Sequence, residues 1–303
     1  MQNYFGEIAA LLTAVFWTVT SMAFESAGKK VGSLAVNLIR LVMAFFFIGV
    51  YSYFARGFFF PTDATFYQWK WLAISGLIGF VIGDLLLFQA FVVVGARISM
   101  LVMSLTPPFA AFAGWLVLGE VLTLQNLAGM FITLSGIVIV ILKRGRSEKN
   151  GVIKRTLQSG YSVPGILLAL GGALGQAVGL VFSKLGMGSY DAFSASQIRV
   201  LAGIAGFSVL FFFIRRWTGV RIALKNGSAM KRITLGAFFG PFLGVSFSLL
   251  AVQNTETGIA ATLMAIVPVL IIAPAVIIFK EKVNWKEVLG AVITVTGVAL
   301  FFL

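Results

Sequence analysis

The chain has 303 residues, a mean hydropathy of +1.01, 59% hydrophobic and 11% charged residues, values outside the range of soluble domains. It contains no cysteine and no histidine, which excludes disulfides, thiolate or histidine zinc sites and histidine-activated nucleophiles, so neither metal nor cofactor is expected. The formal net charge of +13 would suit nucleic acid if gathered on one face. The basic residues instead fall between apolar runs, where lipid headgroups and membrane topology account for them; no nucleic-acid partner is expected.

Met1 to Tyr4 offers no basic n-region and no small-residue cleavage site, so no removable signal peptide is read. A bilayer core of ~30 Å needs roughly 20 helical residues. Apolar stretches of that order predict spans near 5–24, 34–54, 71–92, 98–118 and 122–142, then 164–183, 194–214, 233–252, 258–279 and 285–303. On the first span Thr13, Trp17, Thr20 and Ser21 share one helical face, a polar-aromatic stripe suited to a cavity wall or to helix–helix hydrogen bonds. Arg40 lies about two turns into the second span. Its expected role is structural, snorkelling to the interface or capping a neighbouring helix, with bidentate carboxylate recognition as the lesser alternative.

The third span holds Asp84, the only acidic residue deep inside a stretch. Such a group normally faces a bundle interior or a wet cavity. It is read as a proton-coupling site or a counter-charge for a substrate amine, against a plain structural ion pair. Gly79-x-x-x-Gly83 in that span, with Gly171, Gly175 and Gly179 and with Gly240-x-x-x-Gly244 later, predicts close helix packing. In spans four and nine Pro107-Pro108, Pro268 and Pro274 remove backbone donors and predict kinks, with Pro107 and Pro268 the candidate gating positions. Met103 and Met264, one turn before them, suit an adaptable apolar wall or core filler alike. Glu120 and Glu281 fall at span ends and read as interfacial charges.

The second half repeats the first. Gly6 aligns with Gly165, Trp17 with Gln176 and Arg40 with Arg199; after a two-residue shift Gly79 aligns with Gly240, Pro107 with Pro268 and Gly136 with Gly297, while Asp84 meets Val245. The organisation is therefore a repeat over 1–142, a basic linker over 143–163 and a second repeat over 164–303. Five spans per copy is an odd number, so the second copy enters the membrane upside down, the arrangement of an alternating-access carrier. The expected fold is an all-α membrane protein of ten transmembrane helices, built as two inverted five-helix repeats. Eighteen of the 23 basic residues fall on the side of the linker and the 215–232 loop. The positive-inside rule then places that side in the cytoplasm and both termini outside.

The run Ser99 to Pro107, followed by Gly119-Glu120, Gly129 and Gly136, has its counterpart in Thr257 to Pro268, Lys280-Glu281, Gly290 and Gly297. This pattern, with Trp17, Arg40 and Arg199, resembles the EamA repeat of the drug/metabolite transporter superfamily and covers nearly the whole chain. The resemblance implies an inner-membrane carrier of small metabolites, often an exporter of amino acids or related compounds, with a central cavity between repeats. It also implies cytoplasmic termini, which the charge imbalance opposes. The expected partners are a small-molecule substrate and the lipid bilayer, with the protein a monomer or a weak homodimer.

The substrate site is expected from Trp17, Thr13, Ser21, Asp84, Met103, Gln176 and Met264. An aromatic or apolar amino acid suits Trp17 and the methionines. The rivals are a carrier of drug-like, polyamine or nucleotide-sugar substrates, a non-transporting subunit, and a membrane enzyme. The last lacks a polar catalytic cluster.

Overall fold

A computed structural model describes residues 4–94, 99, 102–143, 162–270, 272 and 285–302. Its described elements are helical: α1 Phe5–Val31, α2 Ser33–Arg56, α3 Phe66–Gly76 and α4 Asp84–Val93. They continue with α5 Thr106–Leu118, α6 Leu124–Lys143, α7 Val163–Met187, α8 Ala192–Ile214, α9 Trp217–Lys225 and α10 Gly227–Ala237. The chain then runs through α11 Val245–Asn254, α12 Thr257–Met264, α13 Val267–Leu270 and α14 Trp285–Ala299, ending in a short 3-10 turn.

Among the described residues, six helical stretches are long and apolar enough to cross a membrane: Phe5–Val31, Ser33–Arg56, Phe66–Ala90, Val163–Met187, Ala192–Ile214 and Gly227–Asn254. Four apolar helices are shorter: Thr106–Leu118, Leu124–Ile139, Thr257–Leu270 and Val288–Phe302. Spans four and nine are interrupted near their prolines, with Leu105 and Ala265 still in the right-handed helical region. The chain turns at Ser104–Leu105 and at Ala265–Ile266, and the proline-bearing helices α5 and α13 start afresh beyond the turns. Proline lacks an N–H and its ring clashes with the preceding turn, so it opens a helix more readily than it continues one. Pro274, Glu281 and Lys280, together with Arg97, Arg144, Arg146, Lys149, Lys154 and Arg155 of the basic tally, lie outside the described residues.

Two interruptions recur at equivalent places. Between α3 and α4 the backbone widens into a π-helix over Leu77–Gly83, and between α10 and α11 it does so over Phe238–Gly244. The first wide turn brings Gly79 and Gly83 against α7: a Cβ on Gly175 would stand 2.7 Å from the Gly83 Cα, and one on Gly179 would stand 3.1 Å from the Gly79 Cα. The second packs against α1, where a Cβ on Gly244 would meet the Trp17 indole at 2.6 Å and one on Gly240 would meet Thr20 at 2.8 Å. The glycine seams expected from sequence are therefore contacts between the repeats. Any side chain there would force the helices apart.

Helices α6 and α14 are equivalents, and they pair with each other. A Cβ on Gly136 would clash with Thr294 and Gly290, and one on Gly297 with Thr133 and Gly129. Each contact is the other with the partners exchanged, as at a two-fold interface. Because Gly129 meets Gly297 while Gly136 meets Gly290, the two helices run antiparallel.

The 215–232 segment, expected as a loop, holds the short helix α9 and the start of α10. Ala223 of α9 is buried, while Trp217, Ile222 and the basic residues remain outside. One end of the bundle gathers Lys30, which donates to Ser228 at 2.9 Å, and Arg232, which donates to Ser26 at 2.5 Å. The other end joins Tyr4 to the Phe302 carbonyl at 2.8 Å and Gln125 to the Leu300 carbonyl at 2.8 Å.

Candidate functional site

A cavity of about 200 Å³ lies between the repeats. Helix α1 contributes Trp17, Thr20, Ser21 and Phe24, one stripe at helical spacing. Its equivalent α7 contributes Gln176 and Leu180. Phe80 comes from the first π segment, Gly240 and Pro241 from the second, and Asp84, Leu87 and Phe88 from α4. Met103, Ser104 and Thr106 close one wall, and Ala261, Met264, Ala265, Val267 and Pro268 close another. The first repeat's lining residues, such as Arg40 and Asp84, stand somewhat nearer the Lys30–Ser228 end and the second repeat's, such as Gln176, Arg199 and Ser248, somewhat nearer the other, so the cavity lies near the middle of the bundle.

Three charged side chains line this space: Arg40, Arg199 and Asp84, each buried. Asp84 opens α4 directly after the π turn, and that turn aims it inward. Its Oδ2 takes a charge-assisted hydrogen bond from Arg40 Nη2. Its Oδ1 accepts from Gln176 Nε2 at 2.6 Å, and the same amide also reaches the Gly79 carbonyl at 3.2 Å. The Arg40 guanidinium is further held between the Phe24 and Phe88 rings, 5.3 and 5.0 Å from their centroids. Arg199 is differently placed. Its guanidinium lies 5.0 Å from the Phe80 centroid, and a Cβ on Gly79 would come 3.2 Å from its Nη2. Among the described residues Arg199 makes no ion pair, and its buried Nε has no partner.

Of the nine residues expected to bind substrate or gate its path, seven thus meet here: Trp17, Ser21, Asp84, Met103, Gln176, Met264 and Pro268. Two do not line the cavity. Thr13 is fully buried one turn too early, its hydroxyl donating to the Ala9 carbonyl at 2.9 Å and weakly to the Gly244 carbonyl at 3.5 Å. Pro107 is buried within α5, and its neighbour Thr106 faces the cavity instead. Gly172, Gly179 and Ser183, which share the Gln176 face of α7 at helical spacing, pack on the α3–α4 stretch; Ser183 shares a 2.6 Å hydrogen bond with Ser75.

The snorkelling expected for Arg40 and Arg199 does not occur. At 6% and 4% exposure both turn inward, because Asp84 and the phenylalanine faces offer partners that the interface does not. Their equivalence across the repeats was the signal that could have placed them on a shared central site. Phe24, Phe80 and Phe88 gave no such signal among 30 phenylalanines.

The end opposite Lys30 is laced with polar contacts. Glu120 pairs with Lys184 at 2.6 Å and accepts from the Thr257 N–H at 2.8 Å and hydroxyl at 2.9 Å. Lys184 also donates to the Thr255 carbonyl at 2.6 Å. Asp63 accepts from Arg56 at 2.5 Å and from the Tyr190 hydroxyl at 2.7 Å. Burial pushes the Asp63 carboxyl up, but those two hydrogen bonds outweigh it and hold the group below its ordinary value. Burial and the Asp63 contact push the Tyr190 phenol above its ordinary value.

The EamA-like transporter family matches this chain twice, over residues 4–142 and 163–303, so the chain belongs to that family and carries two of its repeats. Together with the apolar helices this makes it a multi-pass membrane protein of a transporter family. No curated protein matches it. Of 29 matching solved chains, one crystal structure superposes with a TM-score of 0.72, covering 99% of this chain and 97% of its own. At 18% identity that likeness is one of fold.

Proposed function

We propose that this protein is an inner-membrane carrier of ten transmembrane helices in two inverted five-helix repeats, acting as a monomer or weak homodimer. It holds a small amphipathic metabolite, an amino acid or a related carboxylate, in the cavity between the repeats and exposes it alternately to either side. The antiparallel pairing of the equivalent helices α6 and α14 supports the inversion. The observation that carries the binding role is Arg199, a buried guanidinium on the cavity wall that makes no ion pair among the described residues. A buried unpaired charge costs several kcal/mol, a cost that a bound carboxylate offsets by bidentate hydrogen bonds. Trp17, Met103 and Met264 supply the apolar wall, and Ser21 and Gln176 the orienting polar groups.

The direction proposed is export. The positive-inside rule makes the basic end cytoplasmic, and polar networks around Glu120 and Asp63 tie the opposite end, which favours opening of the central cavity to the cytoplasm. Asp84 is the coupling residue. Taking up a proton would break its pair with Arg40 and change the charge that the cavity offers. Pro107 and Pro268, at the restarts of α5 and α13, mark the gating segments.

Uptake by proteoliposomes of labelled amino and organic acids, with and without a pH gradient, tests this reading. Transport should need Arg199 and respond to the gradient through Asp84. An Asp84→Asn carrier that still follows the pH gradient would end the proton-site assignment.

A further inference from the structure

The carrier reading of the cavity, on which this inference rests, leaves the ligand's own charge open. Three lining groups decide it. Arg40 and Arg199 occupy equivalent positions in the two repeats, but Asp84 faces only Val245 across the symmetry. The pair of cations is therefore inherited with the repeat, and the single anion is an addition to one copy.

Both Asp84 oxygens are occupied from within the protein, one by Arg40 and the other by Gln176 at 2.6 Å. Arg40 is thereby neutralised. Arg199, beside Phe80 and Gly79, feels the Asp84 charge across the cavity but makes no ion pair with it, and its Nε has no partner among the described residues. The remaining wall is mainly apolar, with Trp17, Phe80, Leu87, Phe88 and Met264, and its hydroxyls, among them Thr20, Ser21 and Ser248, carry no charge.

We infer that Asp84 is the specificity-determining residue that sets ligand charge: by pairing with Arg40 it leaves Arg199 as the lining cation without an ion pair among the described residues, so the cavity selects an apolar monocarboxylate. An amino acid would bring an ammonium that finds no free carboxylate. A dicarboxylate, or a diphosphate of the nucleotide-sugar kind, would place its second charge against aromatic and aliphatic surface. Both meet an uncompensated desolvation cost. Replacing Asp84 by valine, its counterpart in the other repeat, frees Arg40, which the Phe24 and Phe88 rings continue to hold at the cavity wall. Two cations then face the ligand, and the preference moves to dianions.

Calorimetric titration of the full-length protein in detergent tests this with three matched probes: 3-phenylpropanoate, benzylmalonate (the same ring with a second carboxylate) and phenylalanine. The wild type should bind 3-phenylpropanoate at least about tenfold tighter than either alternative. Asp84→Val and Asp84→Asn should shift the ratio toward benzylmalonate by roughly 10- to 100-fold, the range of one charge-assisted pair. Arg40→Gln keeps the carboxylate and releases it toward Arg199; this variant should lose 3-phenylpropanoate binding by about tenfold or more. The wild-type ranking and Arg40→Gln therefore decide the matter even if the Asp84 variants do not fold.

A wild type that prefers phenylalanine or benzylmalonate overturns the inference, as does a ratio unmoved in folded Asp84 variants or unchanged binding in Arg40→Gln. If in those cases Arg199→Gln still abolishes binding, the carrier reading survives alone. If Arg199→Gln changes nothing, or no probe binds to the wild type, both readings fall.

Discussion

Arg199 concentrates the account at the scale of single residues. It is 4% exposed, lines the cavity and is the binding charge the protein itself leaves unpaired among the described residues. Replacing it with glutamine removes a charge-assisted anchor of about 1.5–3 kcal/mol, so transport affinity for a carboxylate should fall roughly 10- to 150-fold. The fold should persist, since no ion pair is broken; a saturation curve for uptake reads the change. Thr13→Val gives the contrast. That hydroxyl bonds the Ala9 carbonyl away from the cavity, and the variant should transport normally. Both residues stood out in the sequence for their polarity within apolar runs. Polarity reveals that a residue needs a partner, not whether the partner is a backbone carbonyl or a ligand. Thr13, expected at the substrate site, therefore bonds a backbone carbonyl, while Arg199, expected in a structural role near the interface, lies on the cavity wall.

Among the elements, the π segments position the site. Leu77–Gly83 directs Asp84 and Phe80 inward, and Phe238–Gly244 brings Gly240 and Pro241 to the opposite wall. Nothing in hydropathy marks a π turn, whereas the glycines that seat it against α7 and α1 were legible as small-residue seams. Gly175→Val places branched carbons where the Gly83 Cα stands, 2.7 Å from a bare Cβ. Overpacking of this sort costs about 1–3 kcal/mol, and thermal unfolding in detergent should show it as a lowered midpoint.

The contacts at the polar end carry a pH signature. Asp63 sits below its ordinary value, so its stabilisation is complete at neutral pH and is lost as pH falls below about 4. Tyr190 sits above its ordinary value, so its share persists until pH rises past about 10. Tyr190→Phe should therefore be less stable than the wild type by about 1 kcal/mol at pH 7, discounted for the exposure of Asp63, and the gap should close at both extremes. Equal stability at pH 7 would contradict the assignment of that hydrogen bond.

For the whole molecule, the repeat was the clearest feature of the sequence, and the exchanged contacts of Gly136 with Thr294 and of Gly297 with Thr133 express it in space. Helix lengths were less legible. The 5–24 span continues to Val31 and the supposed 215–232 loop contains α9, because helix ends depend on capping and packing that apolar runs do not encode. The breaks at Ser104–Leu105 and Ala265–Ile266 fall just before Pro107 and Pro268, where the missing backbone donors predict kinks.

The protein lacks cysteine, so a single thiol introduced at Ser21, on the cavity stripe of α1, is a unique reporter. An impermeant maleimide should modify Ser21→Cys from the basic face in substrate-free proteoliposomes. During substrate exchange it should also react from the opposite face. Labelling confined to one face under every substrate condition would contradict a cavity that opens in turn to both sides.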